Sequence, residues 1–314
     1  MLDLIRMSST LLFPPGGVDL YRQIALLTEM SEGDEVLDVA SGKGVAIEYF
    51  VRRYGVHGAG VEEDVRLVDQ AEARAREEGL AGALQFQTAR ADSLPYRDAI
   101  FDVVVGELGL AARCDPADAV RELVRVTKPG GTVVLVQLVW KAPVEEAHKE
   151  VLSDHLGARP MMLVEWRRLL RDAGVTDIHT EGWSDEETSF RPRVTKPFPD
   201  FAEIFSIWEK IAILRRAWAR WGWRGVRIVL HREWEVHRLL SGGRILGLDL
   251  LKGRKAHPEV EGEQAGASDA PGAPTRDAEE EPVPDSSADR APPGEDDRPD
   301  TAGLPLFGGD GKAP

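Results

Sequence analysis

The sequence predicts a doubly wound α/β domain built on a mostly parallel, seven-stranded sheet, and two patterns carry that prediction. Short, almost wholly apolar runs alternate with amphipathic helical stretches from about residue 35 to residue 183. Strands buried on both faces lose the in–out alternation of a half-exposed sheet, which is how these runs read. A third pattern, a block of small residues after the first strand (Ala40-Ser41-Gly42-Lys43-Gly44), puts a ligand-sized approach where such sheets bind ligands, beyond the carboxyl ends of their strands.

The elements follow in order. Residues 17–29 carry Leu20, Ile24 and Leu27 on one helical face. The first strand, 35–40, ends at the small-residue turn, and Val45–Tyr54 is helical. Residues 58–62 form the second strand, and Asp64 is placed as the N-cap of the next helix. Strands three to five are expected at 84–89, 101–107 and 132–140, with a helix from 116 closed by Pro129-Gly130-Gly131. Two helices precede a sixth strand at 176–183, and residues 244–255 supply the last strand.

Between those two strands the alternation breaks. Residues 185–242 are expected to insert a helical hairpin holding five of the eight tryptophans, so the core comprises 1–184 and 243–255. The hairpin reads as a cover over the site, its Trp208, Ile211, Leu214 and Trp218 at helical spacing; contact with a membrane surface is the less favoured alternative. Residues 256–314 hold 15 acidic and 4 basic residues, −11 of the chain's −15. Rich in Pro, Gly and Ala and poor in aromatics, this tail is predicted to be disordered. Its "GLPLF" (303–307) resembles a sliding-clamp-binding peptide without the leading Gln, and chance explains it.

Composition narrows the function classes. The single Cys114 permits no internal disulfide, and the chain has no apolar run of membrane-spanning length, so a cytoplasmic protein is expected. An acidic balance is poor equipment for gripping phosphates. No metal site is expected.

The turn at 40–44 discriminates among ligands. A dinucleotide fingerprint wants a third glycine where Ile47 stands, and a triphosphate loop wants Ser or Thr where Gly44 follows Lys43. What remains is an acid–x–small–x–Gly–x–Gly pattern, Asp38 to Gly44, with an acid, Glu62, ending the second strand.

That pattern resembles the class I methyltransferases that use S-adenosylmethionine (SAM), whose fold is Rossmann-like. "LQFQTARADSLPYRDAIFDVVV", "AVRELVRVTKPGGTVVLV" and the lead-in "FPPGGVDLYRQIALLTEMSEGDEVLDVA" are similar to successive family segments, in order. The lead-in is similar to the type 11 branch grouped with ubiquinone/menaquinone-biosynthesis methyltransferases. The resemblance implies SAM as cofactor and a small-molecule acceptor. Gly42 and Gly44 admit the aminoacyl part of SAM to the backbone, Asp38 organises the turn and attracts the ammonium, and Glu62 accepts the ribose hydroxyls. Ala40 stands in place of the family's first glycine, beside Ser41. Ala91 offers a backbone N–H to adenine; the family's neighbouring acid is replaced by Arg90, which leaves Asp92 as the candidate partner of the amino group.

Candidates for chemistry are fewer. Glu107, ending the fourth strand, faces the methyl group in this fold; it binds a cationic acceptor, takes a proton, touches the cofactor, or is a plain strand-end acid. Tyr21 reaches the site from the first helix or packs the core. His148 and His155 share a helix face and line the acceptor pocket or lie on the surface. Asp102 reads as structural. The Asp/Asn-Pro-Pro-aromatic loop of DNA amino-methyltransferases and the Pro-Cys of cytosine methylation are missing, so no DNA partner is expected. The alternative class is a SAM-binding or interaction module using the hairpin on a partner or membrane. Oligomeric state has no signature.

Overall fold

The computed structural model describes residues 16–156, 158–183, 207–243 and 245–257. Its elements are α1 (Gly17–Leu27), β1 (Glu35–Val39), α2 (Val45–Tyr54), β2 (His57–Glu62), α3 (Val65–Glu77), β3 (Leu84–Thr88), β4 (Phe101–Gly106), α4 (Pro116–Val126), β5 (Thr127–Trp140), α5 (Glu146–Leu156), β6 (Met161–Met162), α6 (Leu163–Asp172), β7 (Val175–Gly182), α7 (Ile207–Gly243) and β8 (Leu246–Lys255). The strand order is β3-β2-β1-β4-β5-β8-β7, with β6 attached to β5. Strands β1 to β5 pair in parallel, and β8 runs antiparallel between β5 and β7. The doubly wound, mostly parallel architecture predicted from the sequence is therefore the observed one. The two-residue β6 adds a strand the periodicity cannot signal.

Two features fix where a ligand meets this sheet. Strand β1 has β2 on one side and β4 on the other, so the crossovers leave in opposite directions and open a crevice at β1's carboxyl end. The register then levels the strand ends: Val39 pairs with both Val61 and Gly106, bringing the turn after β1 beside Glu62 and Glu107. On one sheet face, Leu20, Tyr21 and Ile24 of α1 and Phe50 of α2 pack against Val103, Val105 and Val136, all essentially inaccessible. Close-packed walls of this kind hold a crevice to one shape.

Local chemistry sets the helix ends. Asp64 Oδ1 accepts from Arg66 N at 3.0 Å, the expected N-cap of α3. Helix α4 stops at Val126 rather than at Gly131: Thr127 turns extended (φ −74°, ψ 137°), pairs with Phe101, and its hydroxyl donates to Leu123 O at 2.7 Å. Pro129 disfavours helical geometry in the residue before it, which is why the chain joins β5 so early. Asp102 accepts from Glu35 N (3.0 Å) and Lys128 Nζ (2.8 Å), tying three segments together.

Helix α7 breaks at Gly222, whose φ of 64° and ψ of 179° separate two helical segments. Ile213, Ala217 and Val226 point inward and are buried. Trp208 and Trp218, placed by spacing on a covering face, instead project outward, 77% and 61% exposed. The lead-in residues 1–15, the approach 184–206 and the acidic tail from 258 onward lie outside the described residues.

Candidate functional site

The turn after β1 is built by backbone conformation. Ala40 takes the left-handed region (φ 63°), as do Gly42 (56°) and Gly44 (69°). For an L-residue that conformation is unfavourable by roughly 1 kcal/mol or more, so Ala40 carries strain a glycine would not. Ser41 N donates to Val61 O (3.0 Å) and Gly44 N to Ser41 O (2.8 Å), pinning the turn to β2 and to itself. The two glycines differ in role. A Cβ at Gly44 would lie 2.3 Å from Phe86 Cζ, whereas one at Gly42 would meet nothing within 4 Å. Gly44 lets the turn pack on β3; Gly42 borders open space.

Three acids line the crevice. Glu62 Oε2 accepts from Gly42 N (3.0 Å), and Oε1 accepts from Glu63 N (3.0 Å) and Asp64 N (3.1 Å). These bonds fix the carboxylate's orientation while leaving lone pairs on each oxygen for another donor. Asp38 is fully buried on β1, and neither of its oxygens has a hydrogen-bond partner. Burial first, and then the charges of Glu107 and Glu62, raise its pKa well above the usual carboxylate range. Ser41 Oγ, also buried, is similarly unpartnered.

Glu107 follows β4. Its backbone N–H donates to Val39 O at 3.0 Å, and its side chain, 5% exposed, takes a 2.6 Å hydrogen bond from the Tyr21 hydroxyl. Burial pushes the Glu107 carboxyl up to about 7, against the lowering effect of the Tyr21 bond, with the charge of Glu62 adding to the rise. Burial likewise raises the Tyr21 phenol. Tyr21 is thus both a core residue, its ring tilted on Phe50 at 5.8 Å, and a partner of the strand-end acid.

Arg90 folds back on Asp92 with two bonds, 2.9 and 2.7 Å, and approaches Glu63 at 3.9 Å. The Arg90 guanidinium holds the Asp92 carboxyl below its usual range. Arg90 is thus paired with the acid that the resemblance left as the candidate partner of adenine, and the clamp closes the 90–92 loop that holds Ala91. His148 lies apart on α5, its ring 45% exposed and 4.0 Å from Glu145. No described bond joins it to the acids, and the side chain of His155 lies outside the described residues.

One contributor escaped the sequence reading. Gln137 Nε2 donates to Gly106 O (3.1 Å) and Glu107 O (2.8 Å), both contacts buried, and so fixes the exit of β4. Its signal was available: a lone amide in the apolar run "TVVLVQLVW" demands buried partners. Asp249, alone among the leucines of β8 and 1% exposed, is likewise satisfied by Lys141 Nζ at 2.6 Å.

Unpartnered buried oxygens on Asp38 and Ser41, an open face at Gly42 and a fixed carboxylate at Glu62 form a set with unmet demand for a donor-rich, cationic ligand. SAM, with its ammonium and its ribose hydroxyls, fits that demand. Comparison with known proteins points the same way. Residues 37–135 match the family model described as "Methyltransferase domain", and the sheet that carries them is Rossmann-like. Over 107 residues the chain is 35% identical to the ubiquinone/menaquinone biosynthesis C-methyltransferase UbiE of Idiomarina loihiensis, an overlap of 33% of this chain and 43% of that protein. The chain thus spans less than half the length of the first curated relatives it matches. Among solved structures, the [4+2]-cyclase SpnF is 26% identical, with a TM-score of 0.59 over 76% of this chain and 80% of that one. A phosphoethanolamine N-methyltransferase 2 from Haemonchus contortus, solved with SAM, shares the fold at 19% identity, with a TM-score of 0.59 over 78% of this chain and 54% of that one.

Proposed function

We propose that this chain is a SAM-dependent methyltransferase acting on a small-molecule acceptor by direct, in-line transfer. The observation that carries the proposal is the fully buried Asp38 carboxylate, without a partner, beside the open face of Gly42. A buried polar group left unsatisfied costs about 1–3 kcal/mol, more if charged, and a cationic ligand relieves that cost.

The SAM sulfonium supplies an activated methyl group, so the protein's task is positioning and exclusion of water. Asp38 attracts the ammonium, the N–H groups of the 40–44 turn border the aminoacyl part, and Ser41 Oγ is available to it. Glu62, already oriented by three backbone N–H groups, accepts from the ribose. Ala91 and Asp92 border the adenine. Glu107, with a pKa near 7, is poised to take a proton from the acceptor, and Tyr21 aligns its carboxylate through the 2.6 Å bond. A base tuned to the working pH suits an acceptor that must lose a proton, such as a phenolic hydroxyl or an activated ring carbon. The relatives named as quinone-biosynthesis C-methyltransferases support a quinone-like or lipid-like acceptor of that chemistry. His148, half-buried on α5, is given no role.

A second reading has one observation behind it: the similar solved chain at 26% identity is a [4+2]-cyclase, so a chain on this fold that does not transfer methyl groups is the competing case. Incubation with methyl-labelled SAM and polar or lipid-soluble extracts separates them. Label in an extracted small molecule, lost in Glu107→Gln, supports transfer; SAM binding without any labelled product contradicts it.

A further inference from the structure

Helix α7 carries a chemistry that the SAM crevice does not use. Ile207, Ile211 and Trp218 recur at spacings of four and seven, one stripe of a helix, and all three are exposed, at 64%, 44% and 61%. Trp208, beside the stripe, is 77% exposed. Past the break at Gly222, Trp223 and Leu230 repeat the arrangement seven residues apart, 67% and 44% exposed. The helix's inward contacts are made by Ile213, Ala217 and Val226, so the outward stripe is a second apolar surface, not the packing face.

Charge says what this surface fits. From Ile207 to His231 the helix holds six Lys and Arg against the single acid Glu209, in a chain whose net charge is −15. Arg215, Arg224 and Arg227 are exposed among the apolar side chains, and Arg220 lies 5.8 Å from the Trp221 ring. Guanidinium groups interleaved with tryptophan and aliphatic side chains match an anionic lipid surface, where headgroups meet Arg and the acyl boundary takes Trp, Ile and Leu. A nucleic acid would use the cations but leave Ile211 and Leu230 against phosphate and water. Among the described residues no helix is long and apolar enough to cross a membrane, so the fit is to the surface.

We propose that the outward face of α7 docks the protein on anionic phospholipid surfaces. This stands independently of the proposed methyl transfer.

The test is flotation of the full chain with vesicles of phosphatidylcholine alone and of an equimolar mixture with phosphatidylglycerol. The expected result is at least about tenfold stronger partition onto the anionic vesicles, weakened severalfold in ~0.5 M salt, with a blue shift of tryptophan emission. Trp208→Ser/Trp218→Ser and, separately, Arg215→Glu/Arg224→Glu should each lower partition about tenfold, with far-UV circular dichroism and SAM titration unchanged. Equal partition onto both vesicle types, or wild-type partition by both variants, overturns the proposal. So does tighter binding to a duplex oligonucleotide than to the anionic vesicles, or a dimer that dissociates in Trp208→Ser/Trp218→Ser, which would assign the face to a second copy. Because SAM titration is read in parallel, failure of vesicle docking is distinguishable from failure of the SAM site.

Discussion

The Tyr21 hydroxyl lies 2.6 Å from Glu107 Oε1, both groups shielded from solvent and 86 residues apart in sequence. The bond joins the first helix to the end of the fourth strand and couples α1 to the centre of the crevice. Tyr21→Phe keeps the ring against Phe50 and removes only that bond. Loss of a buried hydrogen bond to an acid costs about 1–3 kcal/mol, which chemical denaturation would measure. Because the Tyr21 bond is what lowers the Glu107 pKa, the same variant should move the ascending, acidic limb of the turnover profile above pH 7. An unmoved limb would separate Glu107 from the proton transfer.

Glu107 also makes stability depend on pH, with a definite sign. Its pKa is raised from the ordinary 4.5 to about 7, so between those values the native state holds a proton that the unfolded chain has released. Stability therefore falls as pH rises through that window, by a total on the order of 3 kcal/mol. Glu107→Gln should flatten the fall when melting is followed from pH 4.5 to 7, leaving the part due to Asp38, whose pKa is raised in the same direction. Turnover that depends on the carboxylate should rise with pH through about 7 in the wild type and lose that limb in the variant.

On the proposed reading, Asp38 trades stability for binding. Its two oxygens are buried without partners, so Asp38→Asn or Asp38→Ala should raise the stability of the ligand-free protein by about 1–3 kcal/mol. The same substitutions should weaken SAM binding tenfold or more. A thermal shift paired with a titration checks both signs; destabilisation with intact binding would make Asp38 a structural residue.

The two glycines of the turn should separate in the same way. Gly44→Ala forces a methyl to within 2.3 Å of Phe86 at a φ of 69°, and overpacking added to left-handed strain costs about 2–4 kcal/mol. Gly42→Ala meets no neighbour and should cost only about 1 kcal/mol in the fold, while its methyl intrudes on the open face and weakens SAM. Denaturation and titration of both variants test the contrast.

How much of this was legible in the sequence differs by level. The strands, the turn and Glu62 were readable because apolar runs and small residues act locally: β1 and α2 begin and end within a residue or so of their predicted bounds. The Tyr21–Glu107 bond was not, since only the packing of α1 on the sheet decides whether a tyrosine on that helix meets an acid 86 positions later. The end of α4 was misplaced because the helical period continues into Thr127, and sheet pairing with Phe101 overrides it. For Trp208 and Trp218, spacing alone cannot say which of two apolar stripes faces inward; Ile213 and Ala217 take that role. Arg90, which breaks the family pattern, finds its reason only in its clamp on Asp92.

The central claim is that Asp38 and Glu62 hold SAM at the end of the first two strands. Calorimetric titration of SAM into the wild type, Asp38→Ala and Glu62→Ala tests it most directly. Saturable one-to-one binding by the wild type, weakened at least tenfold in each variant, is the predicted result. No binding by the wild type, or the same affinity in all three proteins, would contradict it.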